Sequence, residues 1–242
     1  MRILQSNNNE LFRNRVATHT ERSAEDQAAV STLENFLKSE GKINPNFAAN
    51  DKWPNTDGCF EFVLNPDLSR CPDQNFVVQI KGTRNYTETN GIISYSLKSL
   101  GFPAYIACEV TADPGILFVV LNPERRGEER VFWKYMSPGY INSIDFNNKS
   151  TTIKFSPEEE IEYTEKSVNR FCKKLERIMD VHLFLRKLNR DNLKKEDALK
   201  IVEVRCEDIS LEIERIKSGN KSRDNISRRI LTRLYDLCYV AI

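Results

Sequence analysis

Apolar and polar positions alternate along the chain with two periods, and the period changes mark its elements. Ser23-Ala24-Glu25-Asp26 reads as a capped helix start. Ala29, Val30, Leu33, Phe36 and Leu37 follow at helical spacing until Gly41 ends the run. A polar loop with Asn44-Pro45 and Trp53-Pro54 leads to a strand over Cys59–Leu64. The Pro- and Asp-bearing stretch from Asn65 to Asn75 reads as a turn, and Phe76–Lys81 as a second strand. Ile92–Leu100 is predicted as a short helix. Ala104–Val110 and Ile116–Leu121 are predicted as strands joined by the turn Asp113-Pro114-Gly115, with edge strands at Val131–Tyr135 and Thr151–Phe155. This order predicts an α/β domain over residues 1–156 with a mixed central sheet flanked by helices.

From Ser156 the pattern turns helical. Pro157-Glu158-Glu159-Glu160 places acids where a helix start favours them, and stretches over 158–189, 195–217 and 222–241 carry apolar stripes. An all-α segment is therefore expected over 157–242. About 85 residues of helix make only a thin core, so this segment is expected to mediate self-association or docking to a partner chain.

Composition narrows the classes. With 36 Lys+Arg against 35 Asp+Glu, the chain has no global basic field, so nucleic-acid binding would need a local patch. The first residues lack the apolar run of a signal peptide and no stretch approaches a membrane span, so a cytoplasmic protein is expected. The six cysteines are scattered with no C-x-x-C pair, which argues against zinc and for free thiols. No Walker-type or other Gly-rich nucleotide loop is present.

The candidate chemistry lies in Thr56-Asp57-Gly58 and, 22 residues after Asp57, in Val78-Gln79-Ile80-Lys81. On a strand, Gln79 and Lys81 project to one side and Ile80 to the other. If the two strands pair as a hairpin, the Asp57 carboxylate reaches both. A carboxylate, an amide oxygen, a backbone carbonyl and waters form a site suited to Mg²⁺, with Mn²⁺ able to substitute. A nearby Lys ammonium can orient water and stabilise the transition state.

A helix bearing a Glu, an Asp-Gly opening a strand, and a Gln-x-Lys ending the next strand together resemble the PD-(D/E)XK nucleases. The resemblance covers roughly residues 15–122. It is closest to a prokaryotic, Mrr-like, defence-associated branch in which Gln replaces the second acid, the branch that includes nuclease subunits of Lamassu-type anti-phage systems. It implies a restriction-endonuclease-like core and metal-dependent hydrolysis of double-stranded DNA. It further implies a homo-oligomer or a regulatory subunit such as an ATPase. Glu25 is taken as the helix acid, with Glu21 and Asp26 as alternatives. Thr83 and Arg84 are candidate phosphate contacts, or simply a strand-end Thr and a solvated Arg. Other readings of the same fold are a non-catalytic DNA-binding or scaffold module and an RNase.

Overall fold

The computed structural model describes residues 23–38, 42–48, 55–63, 75–108 and 113–190. Helix α1 (Ala24–Lys38) starts at Ser23, whose Oγ accepts the Asp26 N–H at 3.1 Å, and buries Ala29, Val30, Leu33 and Leu37. Three antiparallel strands follow: β1 (Ile43–Phe47), β2 (Gly58–Phe62) and β3 (Asn75–Thr83). The stretch around Asn44-Pro45, expected as loop, is the edge strand β1. Pro45 is tolerated because β1 pairs on one side only.

Two further expectations are corrected. Ile92–Leu97 is strand β5, not a helix. It forms a hairpin with β4 (Thr87–Thr89) across Asn90-Gly91, whose φ values of 52° and 74° fit a tight primed turn. The stretch expected as a strand from Ala104 is helix α2 (Gly101–Cys108), opened by Ser99 Oγ accepting the Gly101 N–H at 3.2 Å. Its apolar run has no strand period, and Pro103 sits comfortably in a first helical turn.

Beyond α2 come β6 (Gly115–Leu121), β7 (Arg130–Tyr135), a short helix α3 (Pro138–Asn142) and β8 (Thr151–Phe155). Where a helix was expected to begin, Pro157–Glu159 makes one 3₁₀ turn and Glu160–Ile161 forms strand β9. β7 recruits this segment by pairing Val131 with Ile161, and Arg130 grips the Glu160 carboxylate with Nε at 2.8 Å and an Nη at 2.9 Å. Helix α4 then runs Glu165–Arg190. The other two expected helical stretches lie outside the described residues.

The main sheet is mixed, in the order β1-β2-β3-β6-β7-β9, with only β3 and β6 parallel; β4-β5-β8 form a smaller antiparallel sheet. β7 is thus interior rather than an edge. Against one face of the main sheet lie α1 and α4, with Phe171 of α4 edge-on to Phe118 and Trp133. Against the other lies a core in which Ile93, Tyr95 and Leu97 of β5 join Leu117, Val119 and Leu121 of β6. Asn7–Met179 forms one compact unit, so residues 157–179 belong with the sheet. The rest of α4, from Asp180 to Arg190, falls outside that unit. Among the described residues, no helix is long and apolar enough to cross a membrane.

Candidate metal centre

Asp57 is fixed by its backbone before its side chain acts. Its N–H donates to the Val78 carbonyl at 2.8 Å, and its own carbonyl accepts the Ala48 N–H at 3.0 Å. The next residue has to be glycine. Gly58 has φ +126°, and a Cβ there would sit 2.4 Å from the Asn46 carbonyl oxygen. The Asp-Gly pair therefore lets the chain turn into β2 against β1 while leaving the carboxylate beside β3, only 1% exposed.

The β2–β3 ladder reaches Gly58 opposite Val78. Beyond that point, the β3 N–H groups facing β2 have no strand to bond, and two carboxylates take them. Asp57 Oδ2 accepts the Ile80 N–H at 2.6 Å and also a side-chain N–H from the Gln79 amide. Asp26 Oδ1 accepts the Gly82 N–H at 3.2 Å, and its Oδ2 lies 3.8 Å from Lys81 Nζ. Each acid thus holds one backbone N–H of β3 and one side chain from the residue before it. The two N–H groups are ~6.6 Å apart along the strand. Gly82 allows the second pairing: a Cβ there would lie 2.4 Å from the Glu25 carbonyl oxygen, so α1 could not approach so closely.

The hairpin assumed from sequence is present and brings the Gln79 amide to Asp57, whereas Lys81 meets an acid of α1. The helix acid that meets Lys81 is Asp26. Glu25 is half-buried in the same turn, with its carbonyl and Cγ against Gly82; Glu21 lies outside the described residues. Thr83 Oγ1 accepts the Asn85 N–H at 3.0 Å and donates back to the Asn85 carbonyl, closing a turn. Arg84 pairs with Glu124 on the β6–β7 loop. Both groups already have protein partners.

Sequence reasoning missed Tyr95. From β5 it enters the inter-sheet layer on the face of β3 that carries Gln79 and Lys81. Burial, then the fields of Asp26 and Glu25, push its phenol up to about 12. The signal was available: Ile93-Ser94-Tyr95-Ser96-Leu97 alternates with period two behind an Asn-Gly turn.

Among the described residues, no three His, Cys, Asp or Glu side chains cluster as a metal group. The acceptor groups along this end of β3 are all oxygen: the Asp57 and Asp26 carboxylates, on N–H groups ~6.6 Å apart, and, after a half-turn of the Gln79 amide, its carbonyl in place of its NH₂. That set suits a hard divalent cation, which would relieve the repulsion between facing oxygens. No protein-family model, curated protein or solved structure matches the chain.

Proposed function

We propose that the chain is a Mg²⁺-dependent DNA endonuclease built on a restriction-endonuclease-like core. The observation that carries this reading is the convergence of Asp57, Gln79, Lys81 and Asp26 on the unpaired end of β3. A mixed sheet flanked by helices, with the Asp-Gly and Gln-x-Lys strands paired, supports the fold reading. Asp57 and Gln79, with Asp26 beside them, would hold Mg²⁺ or Mn²⁺. Once bound, the ion would supply a more acidic water and neutralise charge on the scissile phosphate. Lys81, with its side chain 20% exposed, holds an ammonium at the mouth of the site, where it can orient water and stabilise developing negative charge. A place in an anti-phage system with a regulatory ATPase is supported by the sequence resemblance, and assembly with copies or a partner by the apolar stripes in the sequence after Met179.

One observation favours a non-catalytic reading. Asp57 is nearly sealed from solvent, and its Oδ2 accepts two N–H groups, as a purely structural carboxylate would. Plasmid and RNA cleavage with Mg²⁺, Mn²⁺ or EDTA separates the two. Lys81→Ala is expected to lower plasmid nicking by about 10²–10³ while folding is kept. Asp57→Asn is expected to abolish Mn²⁺ binding by calorimetry. Nicking unaffected by Lys81→Ala, or by EDTA, would sink the nuclease assignment.

A further inference from the structure

The near balance of charge over the chain makes any segregation of one sign informative, and α4 shows one. Lys166, Arg170, Lys173 and Arg177 are all exposed and follow at intervals of four, three and four. At 100° per residue they fall within a ~60° sector, opposite the sector that buries Val168, Phe171, Leu175 and Met179. No acid between Lys166 and Arg177 occupies that sector; Glu165 and Glu176 lie roughly a quarter-turn away, and Asp180 borders the sector one turn beyond Arg177. None of the four has a carboxylate at ion-pair distance among the described residues; Arg170 reaches only the Glu160 carbonyl and Ser167 Oγ. Lys42 adds a fifth cation beside the ridge by donating to Asn169 Oδ1 at 3.3 Å. Lys174, the neighbour of Lys173, behaves differently. It lies over the Trp133 ring and donates to the Glu158 carbonyl, so it serves the fold.

Like charges one turn apart destabilise a helix by about 0.2–0.5 kcal/mol per pair, a cost that a linear polyanion would reverse. The ridge is ~16 Å long, the rise of four to five base-pair steps, along which each strand carries a charge about every 3.4 Å. We propose that this outer ridge of α4 binds the phosphate backbone of double-stranded nucleic acid. The ridge lies on the helix that covers the sheet face opposite the Gln79 and Lys81 side chains, so it is a second surface that anchors nucleic acid without touching the reacting groups. A membrane surface fits less well, because the apolar positions of α4 between Val168 and Met179 are committed to the core and leave nothing to insert.

The test is fluorescence anisotropy of the full chain with a labelled duplex in EDTA, titrated with salt, so that hydrolysis plays no part. The variant is Lys166→Gln/Arg170→Gln/Lys173→Gln/Arg177→Gln. Each lost phosphate contact removes about 0.9 from the slope of log K against log salt, so the slope should become shallower by about 3.6 units and Kd should rise by about 10³-fold at ~0.1 M salt. The melting temperature should hold, since the four side chains are exposed. An unchanged slope and Kd overturns the inference. So does wild-type protein that ignores the duplex, or that prefers polyglutamate or phosphatidylserine vesicles to it. Lys81-dependent nicking is a separate readout, so either assignment can fail without the other.

Discussion

Asp57 keeps a backbone N–H satisfied in a place water hardly reaches. Replacing it with alanine would strand the Ile80 N–H at a cost of about 1–3 kcal/mol, confounding loss of chemistry with loss of fold. Asparagine keeps an acceptor for that N–H and removes the charge, and is the cleaner substitution. Tyr95 gives a second residue-scale expectation. Its folded-state value of about 12 lies above the ordinary 10.0, so the neutral phenol's contribution is whole below pH 10 and is lost as pH rises through about 12. Tyr95 and Tyr140, both raised to about 12 mainly by burial, should ionise late in an ultraviolet absorbance titration. Tyr95→Phe should remove one late step and flatten the alkaline fall in stability. A titration unaltered by the substitution would show that Tyr95 is not held neutral.

At the scale of elements, the junction between α1 and β3 carries the site. Gly82→Ala places a methyl against the Glu25 carbonyl and must lift the first turn of α1, drawing Asp26 away from Lys81. The expected cost is about 1–3 kcal/mol, read as a lower melting temperature, together with reduced nicking. A variant that melts and cuts like wild type would mean the close approach is dispensable. The same junction shows where sequence reasoning reached and where it stopped. β2 and β3 were legible because each is short, apolar and set off by turn residues, and Gln79 and Lys81 share a face by the pleat alone. The β5–α2 region was read with its two types exchanged. The Asn90-Gly91 turn and the Ser94 and Ser96 alternation were outweighed by an apolar run from Ala104 whose lack of period suits either structure. Choosing between Glu25 and Asp26 was beyond local pattern. Neighbouring helix positions differ by about 100° in direction, and which one meets Lys81 depends on how α1 tilts onto Gly82.

For the molecule as a whole, the change of pattern at Ser156 does not mark the end of the unit that contains the sheet. β9 completes its edge, and Val168, Phe171, Leu175 and Met179 cover the Phe118 face. At about 1.5–3 kcal/mol for each buried side chain, that helix face alone is comparable with the net stability of a typical domain, about 5–15 kcal/mol. A chain cut after Ser156 is therefore expected to lose its cooperative melt by circular dichroism. A sharp transition near the full-length value would show that the sheet stands without α4.

The double use of the two aspartates has a consequence for how such a chain can diverge. Asp57 and Asp26 close the free end of β3 whether or not any reaction occurs there, so selection for a folded protein alone would preserve them. Lys81 reaches Asp26 Oδ2 at 3.8 Å from a side chain 20% exposed, a long ion pair of modest worth to the fold. A descendant that abandoned hydrolysis could change Lys81 early and cheaply while still carrying both acids. Position 81, rather than the acid pair, is where a working lineage and a retired one would first part.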